Sequence, residues 1–455
     1  MSASDVPPSP SLDRKKEVRK VILSSYVGTT IEYYDFLLYT SAASLVFAKV
    51  FFSNAPESVG TILSFVTLLA GYLARPIGGI IFGHFGDRLG RKRMLLITMA
   101  IMGAASTLIG VVPSYDTIGV WAPVLLVALR VAQGIAVGGD WGGSATISVE
   151  ASEDGKRGLT AAFVNMGAPS GAVIATLVLA GFGLMSDEAF LSWGWRIPFL
   201  LSAVLVVIGL KIRSSMSESP LFAEMQAKAE EQEKKEVPLV AVLKKHWRAV
   251  LLAAFGTLAA FALQGLLASY ALTLGVNTGH HSRTAVLVAF AVGSVLQIGG
   301  LAFYASLSDR FGRRPVMMFG AIMGIVLSFP IFWMIAQGST FLLFLGMIIG
   351  MPIVQSAIYG PSAAFISEMF STEHRYTGAS LGYQTASTLG GGVSPLIAAS
   401  LAAAGGFPPV TIYLMITFAV ALVIIWISKE SAKTDLHNKV LVPGEALAGG
   451  RGVPA

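Results

Sequence analysis

The sequence contains no cysteine, and charged residues make up 13% of its 455 positions. The absence of cysteine excludes disulfide bonds, thiol catalysis and cysteine-ligated zinc or iron–sulfur centres. Soluble domains carry about 25% charged residues, so this chain has too few charges to cover a water-facing surface. With 54% hydrophobic residues and a mean hydropathy of +0.70, the composition predicts that lipid covers much of the protein.

Several patterns typical of enzymes and secreted proteins are also missing. There is no Walker-type phosphate loop and no metal-ligand spacing among the six histidines. A GxSxG match begins at Gly378, but it opens an apolar segment instead of a strand-to-helix turn. The polar N-terminus lacks an apolar stretch before a small-residue cleavage site, which predicts no cleaved signal peptide. We therefore expect no enzyme, no resident cofactor and no metal.

Twelve apolar segments are long enough to cross a bilayer, which takes about 20 helical residues. They lie near residues 21–48, 58–85, 94–113, 119–149, 158–184, 194–213, 247–275, 284–307, 315–336, 339–367, 377–404 and 407–428. Of the 32 Lys and Arg residues, 27 fall on the side that would hold both termini, three on the other side, and Arg75 and Arg130 within spans. Basic residues concentrate on the cytoplasmic side, so we expect an all-α membrane protein with both termini in the cytoplasm.

The two halves of the chain repeat each other. The second span is followed by GHFGDRLGRKR and the eighth by SDRFGRRP, which puts Asp87 and Asp309 222 residues apart. The runs WGGSATISVE from Trp141 and YGPSAAFISE from Tyr359 repeat at an offset of 218. Duplicated six-span halves place a substrate site near the bilayer midplane, between the halves.

This duplication predicts five regions. A cytoplasmic arm, a first six-helix half, a cytoplasmic linker, a second six-helix half and a cytoplasmic tail occupy residues 1–20, 21–213, 214–246, 247–428 and 429–455. The charged linker is read either as a partly amphipathic helix or as a solvated tether, and the tail is predicted to be disordered. Glycines four residues apart, such as Gly134 with Gly138 and Gly167 with Gly171, favour close helix packing, which we expect between spans 4 and 5.

Six stretches carry a resemblance to a known family. They are GTTIEYYDF at 28–36, ARPIGG at 74–79, FGHFGDRLGRK at 82–92, RVAQGIAVGGDWGG at 130–143, LSWGWRIPF at 191–199 and EMFSTEHRYTG at 368–378. Together they resemble the metabolite:proton symporter branch of the major facilitator superfamily, which includes shikimate, alpha-ketoglutarate, citrate and proline/betaine transporters. One departure is Asp140, where the branch usually has Glu. The resemblance implies two pseudo-symmetric halves of six transmembrane helices.

Charged residues inside spans are costly and therefore functional candidates. Glu32 and Asp35 share one helix face, and Asp35 lies about 20 Å from the start of its span. Burial makes an ionised carboxylate costly, whereas a nearby arginine stabilises it. The resemblance implies that Asp35 carries the proton with Arg130 as its partner. Glu32 is a further candidate for proton coupling, and for both Glu32 and Arg75 a substrate contact and a structural role stay open. A static ion pair between spans 1 and 4 is the alternative.

Polar and aromatic residues within spans are candidates for the substrate site. A fixed arginine suits a carboxylate-bearing substrate, because its fork binds carboxylate through two hydrogen bonds. For each of the others alone, helix packing is the competing interpretation. The candidates are Arg75, Arg130, Tyr33, Gln133, Trp141, Asn165, Gln264, Tyr270, Gln297, Tyr359, Tyr383 and Gln384.

The repeated loop motifs resemble the gate that closes the cytoplasmic side of this family. The resemblance implies that Asp87 and Asp309 accept from helix amides or arginines, while Glu150 with Arg157 and Glu368 with Arg375 form charged clusters. Basic residues that only set topology are the alternative, although topology does not require the acids. The gate candidates are Gly83, Asp87, Arg88, Gly90, Arg91, Glu150, Arg157, Asp309, Arg310, Gly312, Arg313, Glu368 and Arg375.

Three functions remain open from the sequence. The first is proton-coupled uptake of a small organic acid such as shikimate or a di- or tricarboxylate across a bacterial cytoplasmic membrane. The second is uptake of a zwitterionic osmolyte such as proline or betaine, and the third is proton-driven drug export. In each case the expected partners are a small molecule, protons and membrane lipid, with no nucleic acid, and the expected state is a monomer.

Overall fold

The computed structural model describes residues 10–153, 155–182, 185–218, 222, 242 and 244–432. Within these residues every regular element is helical. Twelve long helices follow one another: α1 Pro10–Leu45, α2 Glu57–Leu89, α3 Arg91–Val111, α4 Trp121–Ala151, α5 Arg157–Phe182, α6 Phe190–Ser214, α7 Trp247–Asn277, α8 Arg283–Phe311, α9 Arg313–Ala336, α10 Thr340–Ser367, α11 Arg375–Gly405 and α12 Phe407–Ile427. The all-α fold with twelve long helices agrees with the prediction.

Helices α2 to α12 are each long and apolar enough to cross a membrane. Helix α1 is more polar, because it carries Glu32, Asp35 and several Ser, Thr and Tyr residues. It nevertheless packs along α5 and α6, and both of its acids are buried. Hydrocarbon offers no water to bond backbone N–H and C=O groups, so a membrane-spanning chain of this type must satisfy them within helices.

Glycine permits the sharp turns between α2 and α3 and between α8 and α9. Gly90 has φ 103° and Gly312 has φ 101°, a conformation that side chains with a Cβ rarely adopt. The two glycines are 222 residues apart, like Asp87 and Asp309. The sequence repeat therefore corresponds to a repeated backbone turn.

Other glycines bring helix backbones into contact. A Cβ on Gly138 of α4 would lie 2.1 Å from the Arg75 carbonyl oxygen on α2, and a Cβ on Gly171 of α5 would lie 2.4 Å from the Thr30 carbonyl oxygen on α1. The expected packing of α4 on α5 through these glycines is therefore wrong. Each glycine pair instead holds its helix against the first or second helix of the same half.

The two halves meet through α2 against α11 and through α5 against α8. Three helices of the second half contain wide π-helical turns, at Leu266–Tyr270, Ile349–Gln355 and Thr388–Val393. Turns of this kind are frequent at functional sites. Of the predicted linker, only residues 214–218, 222, 242 and 244–246 belong to the described part of the chain, and the predicted tail is described only as far as residue 432.

Candidate functional site: a central cavity and a charged gate

A cavity of about 600 Å³, which includes open solvent, lies between the two halves. Its walls come from α1, α2 and α5 on one side and from α7, α8, α10 and α11 on the other. Four predicted substrate-binding residues line it: Tyr33, Arg75, Gln264 and Gln297. Ligand cavities are typically apolar with a few polar groups that fix orientation, and this cavity has that composition.

Arg75 brings a positive charge to the cavity wall. Its Nη1 donates to Ser387 Oγ on α11 at 3.2 Å, and its guanidinium lies 4.8 Å from the centre of the Phe36 ring and 4.5 Å from that of Tyr72. None of the carboxylates in the described residues forms an ion pair with it. Arg75 is therefore a buried cation that faces a cavity without a carboxylate partner.

Much of the cavity wall consists of residues that were not predicted from the sequence. Phe36, Tyr72, Phe261, Phe290 and Ser294 all line the cavity. An apolar helix has no polar face that would indicate its rotation, so the sequence gives no signal for which aromatic residues point inward.

Asp35 lies buried between α1, α3 and α6. Ser202 Oγ donates to its Oδ1 at 2.5 Å, and Ser106 is a second hydroxyl beside the carboxylate. The other oxygen, Oδ2, has no hydrogen-bond partner. The carboxyl group thus has a free position at which a proton can bind.

Arg130 forms no direct ion pair with Asp35 among the described residues, so the alternative of a static pair between spans 1 and 4 is not observed. Its Nη1 donates to Gln133 Oε1 at 2.5 Å, and Gln133 Nε2 donates to Ser106 Oγ at 2.7 Å. Its guanidinium also lies over the Tyr39 ring, 4.1 Å from the centre. Gln133 and Ser106 therefore stand between the two charges, and Arg130 reaches Asp35 only through this chain of side chains.

A buried ion pair joins Asp140 and Arg213. It was not among the predicted sites. The two side chains make paired hydrogen bonds, of which Nη2 to Oδ2 measures 2.7 Å. The sequence count placed Arg213 among the cytoplasmic bases because it lies in the last turn of α6. Its long side chain is nonetheless fully buried, which the count of basic residues did not predict. The signal that could have found the pair is a carboxylate, Asp140, within an apolar span.

Four predicted substrate contacts form a layer instead of lining the cavity. The Trp141 and Tyr383 rings stack with centres 3.5 Å apart, and Tyr383 Oη bonds to Tyr359 Oη at 2.7 Å. Trp141 Nε1 donates to Asn165 Oδ1 at 2.9 Å. Tyr33 Oη, at 3.4 Å from Tyr383 Oη, joins this layer to the cavity. These contacts tie α4 and α5 of one half to α10 and α11 of the other.

The remaining polar candidates also lie outside the cavity wall. Gln384 donates to the carbonyl oxygens of Val137 and Gly138 on α4, and Tyr270 packs against Phe332 with ring centres 5.8 Å apart. Gln133 is occupied by the hydrogen bonds described above. The structure does not bring these three to the cavity, because helix-to-helix contacts occupy each of them.

At the end of the bundle that carries the repeated loops, each half caps a helix of the other. Asp87 accepts hydrogen bonds from the amides of Tyr376 and Thr377 in the first turn of α11, at 3.2 and 2.9 Å. Asp309 accepts from the first amides of α5, at 2.8 and 2.9 Å. Helix N-termini bind negative charge through these free amides, so the two acids close this end reciprocally.

Buried ion pairs surround these caps. Glu150 Oε1 lies 3.2 Å from Arg91 Nη2 and 2.6 Å from Arg375 Nη1. Glu368 pairs with Arg313 at 3.0 Å. The expected pair of Glu368 with Arg375 is therefore wrong, since Arg375 reaches across to the other half while Glu368 stays within its own.

The other gate candidates divide into structural and exposed positions. A Cβ on Gly83 would lie 2.6 Å from Thr377 Cα, so this glycine allows α2 to contact α11. Arg157 is partly buried at the start of α5, whereas Arg88 and Arg310 are exposed. Gly90, Gly312 and Arg91 take part in the turns and ion pairs already described.

Two gate acids were missed because they follow the last helix of each half. Glu218 Oε2 accepts from the Lys92 amide at 3.1 Å, and Glu430 accepts from the Arg313 amide at 2.9 Å. Each acid thus bonds the start of the helix that follows the repeated loop. Their sequence surroundings differ, so the repeat was not visible in the sequence.

Comparison with known proteins gives a consistent result. Residues 26–382 and 280–443 match the Major Facilitator Superfamily. The chain is 40% identical over 423 residues to the shikimate transporter of Escherichia coli (strain K12), covering 91% of this chain and 95% of that protein. It is 33% identical over 435 residues to the proline/betaine transporter of the same strain, covering 93% and 85%.

A solved structure matches the fold as well. The proton:xylose symporter XylE bound to 6-bromo-6-deoxy-D-glucose aligns with a TM-score of 0.74 and 17% identity, covering 92% of this chain and 98% of that one. A multi-pass membrane transporter of small molecules, and not an enzyme, is the class of protein that the fold and these relatives define. The chain belongs to the Major Facilitator Superfamily, as the sequence predicted.

Proposed function

We propose that the protein imports a small organic acid together with a proton across the bacterial cytoplasmic membrane, as a monomer and by alternating access. The observation that carries the proposal is Arg75, which lines the cavity without a carboxylate partner among the described residues. A guanidinium binds a carboxylate through two parallel hydrogen bonds. Because a buried, unpaired charge is costly, an anionic substrate would stabilise Arg75.

Asp35 is the proton carrier in this proposal. Its carboxyl group is buried, has one oxygen without a hydrogen-bond partner and is connected to Arg130 through Ser106 and Gln133. Each pH unit across the membrane supplies about 1.4 kcal/mol per proton. A proton bound at Asp35 on one side and released on the other would couple this free energy to substrate uptake.

The gate supports an assignment of the conformational state. Asp87 and Asp309 cap helices across the halves, and Glu150 pairs with Arg375 across the same boundary. The distribution of basic residues supports a cytoplasmic position for this end of the bundle. We therefore assign the structure to a state closed to the cytoplasm, in which the cross-half bonds break before the substrate is released inside.

A zwitterionic osmolyte is the second candidate. Aromatic rings attract quaternary ammonium groups, and Phe36, Tyr72, Phe261 and Phe290 line the cavity. A betaine would place its carboxylate on Arg75 and its ammonium group against these rings. The 33% identical proline/betaine transporter supports this alternative, whereas the 40% identical shikimate transporter supports the first.

A ligand screen followed by transport separates the two. Purified protein is heated with shikimate, alpha-ketoglutarate, proline or glycine betaine, because a bound ligand raises the apparent melting temperature. We expect an organic acid to give the largest shift and to accumulate in proteoliposomes when the outside is acidic. Stabilisation by betaine and not by any acid would favour the osmolyte, and accumulation that ignores the pH gradient would contradict proton coupling.

A further inference from the structure

We infer that Glu32 is a second proton-binding residue of the transport cycle, linked to substrate binding through Arg75, while Asp140 holds Arg213 away from it. The inference rests on the proposed function, because it requires an anionic group at Arg75. It assigns a role to the buried Asp140–Arg213 pair and separates the two acids of α1.

The two terminal nitrogens of Arg213 are engaged by groups other than Glu32. Both of its terminal nitrogens donate to Asp140, and Nη1 also donates to the Leu95 carbonyl oxygen at 2.8 Å. Thr98 Oγ1 donates to Asp140 Oδ1 at 3.0 Å and fixes the carboxylate from α3. The arginine and its carboxylate partner are therefore locked together by helices α3, α4 and α6.

The locked guanidinium lies against α1 one turn before Glu32. A Cβ at Gly28 would lie 2.0 Å from Arg213 Nη2, so only glycine allows this approach. Residues four apart lie on one helix face, which places Glu32 on the face that Arg213 touches. Glu32 is nevertheless without an ion pair among the described residues, and its Oε2 has no hydrogen-bond partner.

The negative and positive charges around Glu32 are equal in number only while no substrate anion is bound to Arg75. The titratable or charged groups that act on Glu32, or on which it acts, are Asp140, Arg75, Arg213, Asp35, Tyr33 and Tyr359. Arg213 compensates Asp140, and Arg130 is the positive charge beside Asp35. Arg75 is then the positive charge left for Glu32. Phe36, four residues after Glu32 and on the same face of α1, has its ring centre 4.8 Å from the Arg75 guanidinium, and Arg75 also lines the cavity.

A substrate carboxylate on Arg75 would leave the cluster with one uncompensated negative charge. A proton taken up from solution adds to a Glu32 oxygen and removes that charge, and it leaves again when the substrate does. No other bond forms or breaks in this step. Uncompensated buried charge is costly, so acid binding and protonation of Glu32 favour each other, and linkage makes this effect reciprocal.

Proton uptake on binding tests the inference directly. Shikimate is added to purified protein in weakly buffered detergent solution with a pH-sensitive dye, and binding is followed in parallel by isothermal titration calorimetry. We expect the wild type and the exposed control Arg310→Lys to take up about one proton per shikimate bound. We expect Glu32→Gln to take up none while still binding shikimate. Full uptake by Glu32→Gln would overturn the inference.

The role of Asp140 has its own matched pair of variants. Asp140→Asn frees Arg213 to compensate Glu32, so it should bind shikimate with reduced proton uptake, whereas Asp140→Glu keeps a carboxylate and should restore it. Unchanged uptake in Asp140→Asn would refute this part. If Glu32→Gln does not fold, the wild type is compared with shikimate and its uncharged methyl ester, and only shikimate should bring a proton.

These outcomes separate the inference from the proposed function. If no organic acid binds, the proposed function fails. If shikimate binds without proton uptake by the wild type, the function stands and the role of Glu32 is refuted.

Discussion

The two halves of the protein have similar turns and helix caps at the end of the bundle that carries the repeated loops, but they differ in the charges buried within their helices. Both have a glycine turn with positive φ, an aspartate that caps a helix of the other half, and an acid that bonds the helix after the turn. In helices α7–α12 charged residues lie only in the first or last turn. The first half buries five charges between its helix ends, Glu32, Asp35, Arg75, Arg130 and Asp140, and it buries Arg213 in the last turn of α6.

Both halves of the duplicated chain therefore have the same turns and helix caps, whereas the charges buried within the membrane interior lie in the first half. The second half lines the cavity with Gln264, Ser294 and Gln297, and Gln297 Nε2 donates to Gln355 Oε1 at 2.6 Å. Neutral groups of this kind position a substrate without binding a proton. The comparison therefore predicts that coupling depends on the first half and that opening depends on both.

The largest effect is expected at the proton carrier. Asp35→Asn removes the proposed proton carrier and leaves Glu32 as the remaining proton-binding group, so accumulation driven by a pH gradient should fall well below the wild-type level while substrate counterflow remains. Uptake into proteoliposomes measures both. Ser294→Ala, on the second-half wall of the cavity, is the matched control and should retain gradient-driven accumulation. Accumulation by Asp35→Asn at the wild-type level would contradict the prediction that coupling depends on the first half.

The second effect is a loss of affinity for the organic acid in Arg75→Lys. Lysine keeps the charge but cannot reproduce the bidentate fork, and a hydrogen bond to a charged group contributes about 1.5–3 kcal/mol. The dissociation constant for an organic acid should therefore rise by roughly tenfold or more, as measured by calorimetry. The exposed Arg310→Lys should bind normally, and unchanged affinity in Arg75→Lys would remove this arginine from the site.

An intermediate effect should separate the two gate glutamates. Glu150→Gln breaks a buried cross-half ion pair, which costs about 3–5 kcal/mol, whereas Glu368→Gln breaks a pair within one half. The chain has no cysteine, so a single Ser380→Cys reports on the buried interface of α11 with α4. Maleimide labelling of that cysteine should increase with Glu150→Gln and not with Glu368→Gln. Equal labelling in both variants would show that the cross-half pair does not hold the gate shut.

The smallest effect should be the same in both halves. Gly90→Ala and Gly312→Ala force a Cβ into a positive-φ turn, at a cost of about 1–2 kcal/mol. Each new Cβ also meets a carboxylate, of Glu218 or Glu430 respectively. Thermal denaturation should show similar losses in melting temperature. A large loss in one variant alone would contradict the equivalence of the two turns.

The sequence predicted the features that depend on local pattern. Hydropathy and charge distribution are properties of each segment, so the twelve helices and the buried acids of α1 were visible. The repeated loop revealed Asp87 and Asp309, because both its spacing and its residue types recur. Family resemblance supplied the gate interpretation.

Features that depend on the relative placement of helices were not predictable. The partner of Arg375 is Glu150 of the other half, and no spacing within either half encodes that contact. Arg213 appeared to be a cytoplasmic base because the sequence does not show that its side chain turns back toward Asp140. The cavity wall was missed for a related reason, since the rotation of an apolar helix leaves no pattern in its residues.

If the organic acid and a proton cross the membrane together, the pH inside proteoliposomes must change during uptake. Proteoliposomes that contain a pH-sensitive dye, with no initial pH difference, are given shikimate or the acid identified by the ligand screen on the outside. We expect the lumen to acidify as the acid anion enters, and we expect Asp35→Asn combined with Glu32→Gln to abolish this change. Entry of the acid at the wild-type rate without a change in lumenal pH would contradict it.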